Sequence, residues 1–203
     1  MTSRTAGIAL LAVCILFMIG ASVAAHFRRF PIPTDPLEQL TLIANDRAGW
    51  TAQAVIFPVC FLAFTIIFGW MAAQLPAGSA RWLAIAAALA AGAALLLWLP
   101  ISADRLRLGT HAAEMIAAYD PTAPSEVFRD TGTFWPYTFC ALASVALLGA
   151  ALALAGVLPV LGWIVAALAL VGALTGAFVM HDWPPFLSYV ILMVLSIGLI
   201  RAG

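Results

Sequence analysis

Residues 101–133 read ISADRLRLGTHAAEMIAAYDPTAPSEVFRDTGT and form the one long polar stretch of the chain. They hold five of the nine carboxylates, three of the nine arginines and one of the three histidines. The runs on either side are apolar. Each is long enough to cross a hydrocarbon core about 30 Å thick, which takes roughly 20 helical residues. The stretch therefore lies at a water boundary between two sets of membrane spans, and the fold follows from counting those spans.

Composition points the same way. Of 203 residues, 65% are hydrophobic and 9% charged. A soluble domain carries about 25% charged residues, because its surface faces water. Lipid must therefore be the solvent for most of this surface. The formal net charge is zero, which gives no attraction to nucleic acid. Cys14, Cys60 and Cys140 sit in apolar runs without C-x-x-C spacing. They read as small hydrophobes, not as a disulfide framework or a zinc knuckle.

Working outward gives an all-α membrane protein of one polytopic domain, 1–203. Six transmembrane helices are expected at about 7–25, 50–74, 81–99, 134–155, 160–180 and 184–200, with polar loops at 26–49 and 101–133. The first run has a signal-peptide look at Ser22-Val23-Ala24. Its apolar part is longer than an ordinary signal core, so it is read as a span. Pro58 should kink the second span, and Pro100 should close the third.

Two short interfacial amphipathic helices are expected on one face. The first spans about 36–45. Asp35 caps it, Pro36 takes the first helical position, Glu38 the third, and Leu37, Leu40, Ile43 and Ala44 share a side. The second spans about 103–119. Leu108, Ala112, Met115, Ile116 and Tyr119 make its apolar stripe, with Arg107, His111 and Glu114 opposite. All seven tryptophans fall near span ends, where an indole prefers the headgroup level. Gly172 and Gly176 form a G-x-x-x-G pair that suits close helix packing within the chain.

Six spans sort the loops onto two sides. One side holds all nine carboxylates, all three histidines and six arginines, a net −3. The other holds Arg4, Arg81 and Arg201, a net +3. The count of basic residues in loops pulls against this, but Arg4 ahead of the first span favours cytoplasmic termini and an outward polar face. No expected span carries an ionisable residue away from its ends, which counts against an ion-coupled transporter.

The polar face supplies the candidate site residues. Arg28, Arg29, Arg107, His111, Glu114 and Arg129 are the set for a lipid headgroup or another anionic ligand. Arg47 and Arg105 complete the ring of arginines. The plain alternative is pairing with nearby carboxylates, which contributes little stability when exposed. His26, His111 and His181, with Asp182 or Glu114, are the set for a metal ion, and His26 with His181 for a haem. None shows H-x-x-x-H or H-E-x-x-H spacing. Asp182, in the string His181-Asp182-Trp183-Pro184-Pro185, also suits a cap on the sixth span. Neither a nucleophile elbow nor a glycine-rich phosphate loop occurs.

Arg4-Thr5-Ala6 leading into the first span, and Ile43-Ala44-Asn45-Asp46-Arg47-Ala48-Gly49-Trp50 leading into the second, resemble an uncharacterised family of bacterial six-helix integral membrane proteins. The resemblance implies a fold and a bacterial plasma (inner) membrane. It supplies no activity.

The functional expectation is a non-enzymatic protein that binds a lipid-like or other small ligand, or serves as an accessory subunit to other membrane proteins. The alternative is a membrane enzyme or redox protein with a metal or haem at the polar face. A small-solute transporter comes third. The bilayer itself is the one partner that composition requires.

Overall fold

The computed structural model describes residues 3–25, 33–120, 131–181 and 186–203. All regular structure among them is helical. Seven helices run in order: α1 (Ser3–Val23), α2 (Pro36–Asn45), α3 (Arg47–Gln74), α4 (Ser79–Ala117), α5 (Phe134–Leu154), α6 (Leu161–Thr175) and α7 (Phe186–Ala202). A π-helical turn, Gly176–Met180, extends α6. Five of these helices, α6 with its extension included, are long and apolar enough to cross a membrane; α7 is apolar but shorter.

Large apolar side chains lie on the outside as well as the inside. Leu62, Ile66, Leu89, Leu96, Leu170 and Phe178 are all exposed. In water that surface would be a severe aggregation liability. In hydrocarbon it is the expected outer face, because there every backbone polar group must be satisfied within the helix.

The helices start where their caps dictate. Asp35 accepts hydrogen bonds from the amides of Leu37 and Glu38, with Pro36 opening α2. Asp46 does two jobs. It caps α3 through the Gly49 amide, and it accepts the amide of Ala25 beyond the end of α1. One carboxylate thus ties three chain segments together. Gly49 allows it: a Cβ there would lie 2.5 Å from Asp46 Oδ2 and 2.7 Å from the Val23 carbonyl.

Helix α4 departs from the expected pattern. It does not stop at Pro100 but runs unbroken for 39 residues, absorbing the segment expected to be a separate interfacial helix. Proline removes one ladder hydrogen bond and disfavours a helix interior by about 3 kcal/mol. Packing overrides that cost. Ala87, Ala91, Ala94, Trp98 and Ser102 are buried at helical spacing through the proline, the half-buried Arg105 continues the face, and Leu108 and Ala112 complete it, while Pro100 itself faces outward.

Small residues set the tightest approaches. A Cβ on Gly7 of α1 would meet the backbone of Ser196 and Ile200 on α7. A Cβ on Gly149 or Gly162 would strike the other's carbonyl, so α5 and α6 touch along their backbones. Gly172 and Gly176 are also buried. Ser3 and Arg4 lie against Gly203, which makes α1 and α7 antiparallel neighbours with their free ends together.

The tryptophans divide. Trp82 and Trp163 are exposed, as belt residues should be. Trp50 and Trp98 are buried in the core. Their place near span ends has another cause.

Candidate functional site

That cause is Arg105. On α4, Trp98, Ser102 and Arg105 recur at i, i+4 and i+7, which puts them on one face. On α3, Trp50, Gln53 and Phe57 recur at i, i+3 and i+7. The two faces meet. The Arg105 guanidinium carbon lies 5.9 Å from the Trp50 ring centre, 5.6 Å from Phe57 and 5.1 Å from Trp98. Its Nη1 donates to Gln53 Oε1 at 2.7 Å, and its backbone carbonyl accepts from Trp50 Nε1 at 2.7 Å. Arg105 is half-buried as a residue, and its guanidinium is packed among these three rings and Gln53.

Each part of this box has a local reason. Gly109 lets α4 approach α3, since a Cβ there would lie 3.0 Å from Trp50 Cδ1. Helix α2 roofs the chamber. Its Leu40 and Ile43 are buried in a cluster with Trp50, Leu108 and Ala112. The motif around Asp46 therefore fixes both the start of α3 and the position of Trp50 one turn later.

Three further polar atoms gather here. Trp98 Nε1, Ser102 Oγ and Tyr137 Oη are buried and lack a hydrogen-bond partner. Their residues are 1%, 4% and 1% exposed. Tyr137 comes from α5, with its ring centre 4.5 Å from that of Trp98. Its hydroxyl lies beside that of Tyr189 on α7, which is at hand as a partner. An unpartnered buried polar atom costs about 1–3 kcal/mol, so Trp98 Nε1 and Ser102 Oγ, one helical turn apart, call for an explanation.

Below them runs an aromatic column of Phe17, Phe61, Tyr189 and Phe64, with Phe17 and Tyr189 stacked. Beside it lies a cavity of about 20 Å³ bordered by Ser144, Ser188 and Tyr189. That is room for one water molecule. The assembly offers one cation and several N–H and O–H donors in surroundings that exclude water, where electrostatic interactions are strong. Its chemistry is recognition of an acceptor group.

The residues singled out from sequence sit elsewhere. Arg107 pairs with Asp104 at 2.7 Å and touches Met115 Sδ. His111 Nδ1 lies 3.0 Å from Glu114 Oε2, one turn along the same helix, with both side chains largely in solvent. His181 is exposed and leaves the π-helical turn in the left-handed region at φ 52°. His26, Arg28, Arg29, Arg129 and Asp182 lie outside the described residues. Among the described residues no three His, Cys, Asp or Glu side chains gather as metal ligands. Sequence reading placed Arg105 in the surface ring of arginines. The spacing of Trp98, Ser102 and Arg105 was the signal that could have moved it inward.

Fold and site together define an all-helical membrane protein with several spans and a cation enclosed at one end of its bundle. No protein-family model, no curated protein and no solved structure matches the chain.

Proposed function

We propose that this is a six-span protein of the bacterial plasma membrane that holds a lipid-like or other small molecule, or serves as an accessory subunit, through the Arg105 box. The observation that carries this reading is the enclosed guanidinium, ringed by Trp50, Phe57 and Trp98 and bonded to Gln53. Enclosing a charge costs several kcal/mol even after relaxation. Ionisable groups at membrane depth are rare and mark ligand or ion paths.

The crossing count is supported by the chain ends. Ser3 and Gly203 are neighbours, which requires an even number of crossings. Five long helices plus α7 satisfy this. Helix α7 has 17 residues, about 26 Å at 1.5 Å per residue, which is the short end of the range that crosses a bilayer. Helix α2 then lies at the surface over the box, and the termini face the cytoplasm with Arg4.

The test is native mass spectrometry of the full chain released from membranes. A bound small molecule or a co-purifying polypeptide should accompany the wild type and the Arg107→Ala and His111→Ala variants. It should be missing from Arg105→Met. A wild-type protein that carries neither would overturn the proposal.

A further inference from the structure

We infer that the group held at this site is an acceptor-only anion, a carboxylate or phosphate-type oxygen cluster, bound by Trp98, Ser102 and Tyr137 beside Arg105. The inference rests on the reading that the Arg105 box binds a small molecule, and it names that molecule's chemistry.

The argument starts from the three unpartnered atoms. An indole N–H can only donate. Its missing partner is therefore an acceptor. Ser102 and Tyr137 can also donate, and both belong to the same cluster: Ser102 lies one turn along α4 from Trp98, and Tyr137 packs against the Trp98 ring. One group with two oxygens would satisfy Trp98 and Ser102, and a third oxygen would compete with Tyr189 for the Tyr137 hydroxyl. A hydroxyl or amide headgroup would spend its donors on the Ser102 and Tyr137 oxygens, whereas an acceptor-only group takes all of the donors at once.

Charge narrows the choice further. The guanidinium sits 5.1 Å from the Trp98 ring centre, and it raises the potential at the place where the unpartnered atoms lie. Gln53 Oε1, the acceptor nearest this charge on α3, is already taken by Arg105 Nη1. Three aromatic rings flank the charge, which lowers the local screening of the attraction. Hydrogen bonds to ionised groups are shorter and roughly twice as strong as neutral ones. A negative oxygen group gains from both effects, and a neutral head from neither.

Such an anion has two sources: the head of a fatty-acid-like or phospholipid-like amphiphile, or a free ion. The experiment uses the full chain in a neutral detergent and reads the thermal unfolding midpoint. Added probes are dodecanoate, dodecanol, sodium phosphate and sodium chloride. A ligand that binds the folded state raises the midpoint as its concentration passes Kd.

Dodecanoate should raise the midpoint at concentrations at least tenfold lower than dodecanol. Trp98→Phe, which keeps a ring and removes the N–H, should weaken this response about tenfold, and Ser102→Ala several-fold. Circular dichroism and gel filtration of the variants establish that both fold. A response to phosphate or chloride, but not to dodecanoate, would support the anion and assign it to a free ion. Equal responses to dodecanoate and dodecanol would overturn the anion while leaving a ligand site. No response to any probe would overturn both. An anion response unchanged in Trp98→Phe and Ser102→Ala would place the anion elsewhere and overturn the inference.

Discussion

Trp50 and Arg105 hold each other twice: the indole N–H donates to the Arg105 carbonyl at 2.7 Å, and the guanidinium lies 5.9 Å from the centre of the indole ring. The contact joins residues 55 apart in sequence and fixes α3 against the far half of α4. Trp50→Phe keeps the ring but removes the indole N–H, while the Arg105 carbonyl keeps its bond within α4. It should cost about 0.5–1.5 kcal/mol, the net contribution of one hydrogen bond. Trp50→Ala also removes the ring and should cost about 3–5 kcal/mol. Chemical denaturation in detergent, followed by circular dichroism, measures both.

Asp46 gives a second outcome. Asp46→Ala removes the α3 cap and the acceptor for Ala25, and should cost about 2 kcal/mol, the upper end for a lost cap. Asp46→Asn keeps only one of the two acceptor oxygens, with its NH2 group facing the other amide, and should recover half of that at most. Gly49→Ala should be at least as harmful as Asp46→Ala, because its methyl would enter the space of the Asp46 carboxylate and the Val23 carbonyl. The same denaturation series ranks the three.

Helix glycines separate by contact. Gly149→Val and Gly162→Val should prevent α5 and α6 from packing and lower the yield of folded protein sharply, because each would drive a side chain into backbone. Gly92→Ala meets only a methyl at 3.6 Å and Gly69→Ala only one at 4.0 Å. These two should be neutral or stabilising by up to about 1 kcal/mol, the helix preference of alanine over glycine. Comparing monodisperse yield and unfolding midpoint across the four checks the packing.

The His111–Glu114 pair should matter little. Their side chains are 55% and 78% exposed, and exposed pairs contribute about 0–1 kcal/mol. His111→Ala should leave the unfolding midpoint within a degree or two of wild type. A large drop would mean that His111 has a role beyond this pair.

Much of the architecture was legible in the chain. Polar breaks marked out the helices, and Asp35-Pro36 marked the start of α2 because capping chemistry is local. The far half of α4 was misread for a physical reason. Proline is a strong local signal, whereas the buried stripe that carries the helix through Pro100 depends on α3 and α5 being alongside. Ending the helix at Pro100 also cut Trp98 off from Ser102 and Arg105, so the one face that carries the box was split between two elements. Trp50 and Trp98 were read as belt residues because belt and box both lie near span ends. Their burial is a tertiary fact. Tyr137 could not be tied to Trp98 at all, since no local spacing joins α5 to α4.

The account stands on Arg105 serving to bind and not merely to hold the bundle together. The most direct measurement pairs stability with ligand retention in the double variant Arg105→Met/Gln53→Leu, which replaces the polar pair with apolar side chains. Replacing buried ionic groups with well-packed apolar ones is often neutral, or stabilising by about 1–4 kcal/mol. The predicted result is a folded protein at least as stable as wild type that has lost its bound molecule and its response to dodecanoate. A variant that is less stable yet still holds ligand would contradict the account and make Arg105 a structural residue.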